Sequence, residues 1–252
     1  MTKRSPIAGK GVRRGGTAKW KSGVVWRRER GARNREVESV CQTLRREYGC
    51  PRLGNPRDPL DDLISVILSN KTGPQVAKKV YDELLHEFSN WDGVLKSPIK
   101  DLRRILKPAG LSTVKSWQIK GALRRIKKRF GACDLSSLRE RPMPEVEAFL
   151  VSLPGVSEKV AKCVMMYTLS AKVLPVDVHV HRVSRRLGWT ARKRADQCHQ
   201  ELEALVPPKW RHCFHVDCIL HGRTICRPEA PACSKCCINR HCEYFRRKRS
   251  DG

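Results

Sequence analysis

The chain has 252 residues, 40% of them hydrophobic and 31% charged, which is enough apolar material for one large domain or two small ones and too much for wholesale disorder. No apolar run approaches the roughly eighteen residues that a membrane-spanning helix needs, and the basic N-terminus lacks the apolar stretch of a secretory signal. Lys plus Arg number 52 against 25 Asp plus Glu, a net charge of +27; such a polycation repels itself unless it works beside a polyanion, so nucleic acid is the expected partner and an anionic membrane surface the weaker candidate.

Residues 1–35 hold twelve Lys or Arg and one acid, Glu29, among Gly and Ser, and read as a flexible cationic arm. Trp20 and Trp26 within it could stack on bases, and an Arg-rich, acid-poor start is also what an organelle transit peptide looks like. The remaining +16 belongs to the folded part, so the arm alone does not account for the charge.

From residue 36 the apolar spacing is helical almost throughout, which predicts an all-α fold. Val76, Val80 and Leu84 form one stripe, Ile119, Leu123, Ile126 and Phe130 a second, and Val146, Phe149, Leu150 and Leu153 a third. Turn residues separate them at Lys107–Gly110 (KPAG), Arg141–Pro144 (RPMP) and Leu153–Val156 (LPGV). Glu145–Ser170 therefore reads as helix, tight turn, helix. A glycine in such a turn lets the backbone approach a phosphate, and the N–H groups opening the second helix favour an anion. Val176, Val178 and Val180 alternate like a strand while Val176, Val180, Val183 and Leu187 fit a helix; Pro175 followed by Asp177 is a helix-opening pair.

Of the 12 cysteines, Cys226, Cys233, Cys236 and Cys242 form C-x6-C-x2-C-x5-C in a Pro-rich segment too short to bury a core. A metal centre would staple it, and four thiolates suit either an iron–sulfur cluster or zinc. Cys237 is the spare.

LPGVSEK at 153–159, PVDVHVHRV at 175–183, HGRTIC at 221–226 and the four-cysteine spacing, in that order, resemble the endonuclease III family of helix-hairpin-helix DNA glycosylases over residues 36–245. The resemblance implies two helical lobes with DNA in the cleft between them: a six-helix barrel with the helix-hairpin-helix over 61–173, and a [4Fe-4S] cluster lobe built from 36–60 and 174–245, followed by a basic tail over 246–252. Cys226, Cys233, Cys236 and Cys242 would be the cluster ligands.

Chemistry on one base of a duplex requires that base to leave the stack, at a cost of a few kcal/mol that damage or mispairing lowers. By resemblance Lys71 and Leu111 fill the gap, Leu111 as an apolar wedge, and Lys71 makes cationic a contact for which relatives commonly use glutamine. Gly155, Ser157 and His179 would hold DNA, with Ser157 where the family has a second glycine and Val178 where it has threonine. Lys159 would attack C1′ to give a Schiff base, and Asp177 would stabilise the developing sugar cation and help deprotonate the amine. The expected protein is a monomeric, non-secreted repair glycosylase with abasic-site lyase activity on damaged or modified, chiefly pyrimidine, bases in double-stranded DNA, cytoplasmic or nucleoid-bound in a bacterium and nuclear or organellar in a eukaryote. The alternatives are a mismatch or methylated-base glycosylase on the same scaffold and a non-catalytic DNA-binding module.

Overall fold

The computed structural model describes the backbone of residues 23–250 and side chains from Arg33 onward. Among the described residues there are twelve α-helices and no strand: α1 Gly23–Tyr48, α2 Pro59–Ser69, α3 Pro74–Phe88, α4 Trp91–Lys96, α5 Ile99–Leu106, α6 Ser112–Phe130, α7 Met143–Ser152, α8 Glu158–Thr168, α9 Val178–Arg186, α10 His199–Leu205, α11 Arg211–Thr224 and α12 Glu243–Ser250. None of these helices is long and apolar enough to cross a membrane. The arm expected over 1–35 lies outside the described residues as far as residue 22; from Gly23 the backbone is helical, and Arg33 already donates to the Gly188 carbonyl at 3.2 Å. Of the tail expected over 246–252, residues 246–250 belong to a helix, α12, which buries no residue, and 251–252 lie outside the described residues.

Two apolar cores form. The first draws on α2–α8, with Leu63, Ile64 and Leu68 of α2, Leu84 of α3, Ile119 and Leu123 of α6 and Val164 of α8 fully buried. The second joins Val37, Val40 and Leu44 of α1 to Val180 and Val183 of α9, Leu202 of α10, Phe214 of α11 and Ile238. From Val37 the chain thus runs in the second core, crosses to the first over residues 49–58, and returns at Leu174. Helix α2 is apolar on nearly every side because α3 and α8 both pack against it. Its start is fixed by Asp58, whose carboxylate accepts from the Leu60 and Asp61 N–H groups at 2.9 and 3.0 Å, with Pro59 opening the helix.

Of the three expected stripes, Ile119, Leu123 and Ile126 are buried as read, and so are Val146, Leu150 and Leu153. In α3 the buried face is Ala77, Val80 and Leu84, and Val76 is exposed, because the small Ala77 rather than Val76 fits against the neighbouring helices. The 176–180 ambiguity resolves toward helix: Val176 is buried in the extended approach, Asp177 caps, and α9 begins at Val178.

Candidate active site and DNA-facing surface

The turn between α7 and α8 requires its glycine twice over. Gly155 has φ of +81°, and a Cβ there would lie 2.7 Å from the Gln118 side chain of α6. Ser157 occupies the N-cap of α8, yet its side chain makes no capping bond and is exposed, so the first-turn N–H groups and the hydroxyl are all available to an anion.

Lys159 leaves the first turn of α8 half-buried, and one turn on is the buried Cys163, close enough to influence its charge. From the other core, Asp177 accepts the His179 and Val180 N–H groups at 2.9 and 2.8 Å through one oxygen, so its position is set by the helix it caps. The buried ring of His215, kept neutral by that burial, donates from Nδ1 to the Pro175 carbonyl at 2.9 Å and anchors the segment leading into Asp177. Cys163, Asp177 and Asp62 together hold the Lys159 amine above its ordinary value against the opposing pull of burial. The structure therefore brings the expected amine and the expected carboxylate within electrostatic reach of each other, with the amine stored as an ammonium.

Lys71 and Leu111 occupy the tips of two loops, and both are non-glycine residues in the left-handed region, with φ of +55° and +49°. Such backbone costs of order 1 kcal/mol and persists only where the surroundings impose it. The imposing group is Lys115 on α6: its buried ammonium donates to the carbonyls of Leu68 and Ala109 at 2.7 and 3.0 Å and to Thr72 Oγ1 at 2.6 Å, while Thr72 in turn donates to the Ala109 carbonyl at 2.6 Å. One cation ties both loops together. Leu111 is 56% exposed, and Val114 and Trp117 beyond it on α6 are exposed as well. His179 is turned away from a simple surface role: it is half-buried, its Nδ1 lies 3.1 Å from an Arg182 nitrogen, and it packs against Gly222.

Cys226, Cys233, Cys236 and Cys242 line one small cavity with Ile225, Pro231 and Phe245, and Cys237 does not reach it. Among the described residues, no three of these four sulfurs lie all within 4.8 Å of one another. Positive and neutral donors surround them: Arg186 donates to Cys226 Sγ at 3.1 Å, and His221 Nε2 sits 3.5 Å from Cys236 Sγ while its Nδ1 bonds the Tyr48 hydroxyl at 2.7 Å. Burial, reinforced by the neighbouring sulfurs, pushes the Cys236 thiol up to about 12, so a metal bound there must displace its proton.

Residues 64–208 match the family described as HhH-GPD superfamily base excision DNA repair protein. The chain belongs to that superfamily. Endonuclease III of Thermotoga maritima is 30% identical over 212 residues, which is 84% of this chain and 94% of the relative. The thymine/uracil-DNA glycosylase of Methanothermobacter thermautotrophicus is 27% identical over 193 residues, 75% of this chain and 83% of the relative. In three dimensions this HhH-GPD protein resembles the endonuclease III of a non-covalent complex with DNA, with a TM-score of 0.75 at 21% identity over 86% of this chain and 98% of the other. A thermostable thymine-DNA glycosylase superposes with a TM-score of 0.72 at 25% identity, over 86% and 99% of the two chains.

Three residues of the HhH-GPD site escaped the reading of motifs. Asp62 of α2 is fully buried; its Oδ1 accepts from Asn55 Nδ2 at 2.7 Å, its Oδ2 has no partner, and burial raises its carboxyl to about 6 even though Asn55 and Lys159 pull it down. Its only signal was its place as the second of two adjacent carboxylates, Asp61 and Asp62, at the start of the mainly apolar run Leu60 to Leu68. Cys163 could have been found at i+4 from Lys159. Lys115 had no signal, being one basic residue among 52.

Proposed function

We propose that this HhH-GPD protein is a DNA glycosylase with abasic-site lyase activity that acts as a monomer on damaged or modified pyrimidines in double-stranded DNA. The pairing of Lys159 with Asp177 carries this reading, because an amine and a carboxylate supplied by different cores lie close enough for the carboxylate to raise the amine, in partly buried surroundings where charges interact strongly. The lobes are assigned as 61–173 for the hairpin lobe and 36–60 with 174–245 for the cysteine lobe, with DNA across the cleft between them; the two separate apolar cores support that division.

Lys159 is the nucleophile. Its ammonium first gives a proton to a neighbouring carboxylate, and the free amine bonds to C1′ as the glycosidic bond breaks and the base leaves with the bonding electrons. Asp177 stabilises the positive charge on the sugar during that exchange. Ring opening yields the Schiff base, and loss of a C2′ proton then expels the 3′ phosphate and cuts the strand. Asp62, with its partnerless oxygen and raised carboxyl, is a second acceptor for the lysine proton. Leu111 enters the space left by the extruded base, Lys71 contacts the base left behind, and Ser157 with the α8 N–H groups and Gly155 grip a phosphate.

Cys226, Cys233, Cys236 and Cys242 are assigned as ligands of a [4Fe-4S] cluster. A single tetrahedral zinc ion at Zn–S distances near 2.3 Å would draw sulfurs to about 3.8 Å from one another; the wider setting of these four around an apolar cavity suits a larger cluster. When bound, the cluster cross-links the end of α11 to the loop before α12.

Base release and borohydride trapping on duplexes carrying oxidised pyrimidines, uracil and a T·G mismatch test the reading. A covalent adduct and strand cleavage on an oxidised pyrimidine, both lost in Lys159→Ala, are expected. Preference for T·G with no strand cleavage would move the assignment to a mismatch glycosylase, and no release from any duplex would leave a DNA-binding module.

A further inference from the structure

Away from the four-cysteine loop and from Lys159, a second set of metal-binding side chains comes together where the chain crosses between its two cores. Cys50 lies in the crossing segment just after α1. His212 and Cys213 are consecutive residues in the first turn of α11. The two sulfurs and a nitrogen of His212 all lie within 4.8 Å of one another, and Cys50 Sγ is 3.3 Å from His212 Nδ1. In a tetrahedral zinc site with Zn–S near 2.3 Å and Zn–N near 2.0–2.1 Å, a sulfur and a nitrogen ligand stand about 3.5 Å apart. The observed edge is already that of a coordination polyhedron.

The backbone is held to make this meeting. Cys50 is a non-glycine residue at φ of +48°, and its N–H donates to Asp217 Oδ1 at 2.9 Å. Asp217 is itself fully buried on α11, one turn beyond Cys213, so the same helix that supplies two ligands also fixes the loop that supplies the third. Left-handed backbone at a cysteine, stabilised by a buried carboxylate, has no evident use in joining α1 to α2, since Gly49 beside it already makes the turn. Cys50 and Cys213 are half-buried and His212 is exposed, at the edge of a cavity of about 460 Å³ lined by Pro51, Asn55, Tyr167 and Lys172, so an ion could enter and a fourth ligand could approach from water.

We propose that Cys50, His212 and Cys213 form a second metal site that binds one soft divalent cation, zinc being the best match. Two thiolates and an imidazole select borderline-soft ions over magnesium or calcium, which require oxygen ligands. Three protein ligands leave a fourth position for water. Bound there, the ion fastens the non-helical 49–58 crossing to α11, and so joins the two cores at the one place where the chain passes from the second to the first. The ring of Tyr167, edge-on to His212 at 5.8 Å between centroids, connects this point to α8, the helix that carries Lys159.

The test uses the full-length protein with its iron content measured, reduced and then freed of loosely held metal by a chelator. Zinc is titrated in competition with a chromophoric chelator, and cobalt(II) is added to a parallel sample to read ligand-field bands. The proposal expects one zinc per chain beyond the iron, tetrahedral cobalt bands with sulfur ligation, and a rise in Tm on zinc addition. Cys50→Ser and Cys213→Ser should each weaken zinc at least about 100-fold, at or above what outer-shell changes cost, with iron content unchanged. His212→Ala, an exposed change that leaves folding intact, should weaken it too and shift the cobalt bands. Absence of the extra zinc in the wild type, zinc retained by both serine variants, or a Cys50–Cys213 disulfide whose reduction creates no metal affinity would overturn it.

Discussion

The hairpin lobe and the cysteine end are held together by different physics. Helix α2 alone buries Leu60, Leu63, Ile64, Val66, Ile67 and Leu68, whereas the whole stretch from Cys226 to Cys242 buries a single large apolar residue, Ile238. Apolar burial near 25 cal/mol per Å² can order the first by itself. The second has too little such area to offset the entropy of fixing its chain, and depends on sulfur chemistry. The consequence is a proposed division of labour: the nucleophile, the phosphate grip and the probing loops, as assigned, all fall on the core that buries enough apolar surface to stand without a metal, while Asp177 comes from the neighbouring core.

The largest effect should come from the lobe with the chemistry. Lys159→Ala should lower strand cleavage by at least about 10³-fold while leaving Tm within a degree or two, since this half-buried side chain is not part of the apolar core. Gel assays of nicking beside thermal melts check this, and a large fall in Tm would mean that Lys159 is a structural residue instead. Next comes Cys236→Ser, expected to remove several kcal/mol of local stability from 226–245 and to leave the 59–169 helices protected in hydrogen exchange. Equal loss of protection in both regions would show that they do not differ in what holds them together.

Much of this layout is legible in the chain because it is written in residues with strong local preferences. Gly155 announces a left-handed turn, Pro175 and Asp177 announce a helix start, and the spacing of four cysteines in a Pro-rich stretch singles out the sulfurs that line one cavity. What stays illegible is decided by packing. Val76 and Ala77 both satisfy a helical stripe, and only the neighbouring helices choose the smaller one. Lys115 looks like any other basic residue until three oxygen atoms from two distant loops surround its ammonium. Cys50 is separated from His212 by more than 160 residues, and only the docking of α1 on α11 makes them neighbours.

Lys115 offers the sharpest probe of how rigid the hairpin lobe must be. Lys115→Met strands the Leu68 and Ala109 carbonyls and the Thr72 hydroxyl, and should cost about 2–4 kcal/mol in chemical denaturation. It should also raise KM more than it lowers kcat, because the strained tips at Lys71 and Leu111 lose their common anchor. An unchanged KM would separate loop tension from DNA probing.

The smallest effect concerns Asp62. Burial lifts its carboxyl from the ordinary 3.8 to about 6, so the folded state prefers it protonated, and the penalty for ionising it grows as pH rises through that window and is complete above it. Asp62→Asn should therefore be as stable as the wild type below pH 3.8 and more stable by up to about 3 kcal/mol at pH 8, with the Asn55 bond retained. At the same time cleavage should slow if Asp62 accepts the lysine proton. A stability difference that does not change with pH would show that Asp62 is not buried as an acid.

The proposed chemistry requires that the Lys159 amine reach the sugar. After borohydride reduction on an oxidised-pyrimidine duplex, digestion and mass spectrometry of the cross-linked peptide should locate the deoxyribose remnant on Lys159. A remnant on Lys71, on Lys162 or on the chain's α-amino group would contradict the assignment of Lys159 as the nucleophile paired with Asp177.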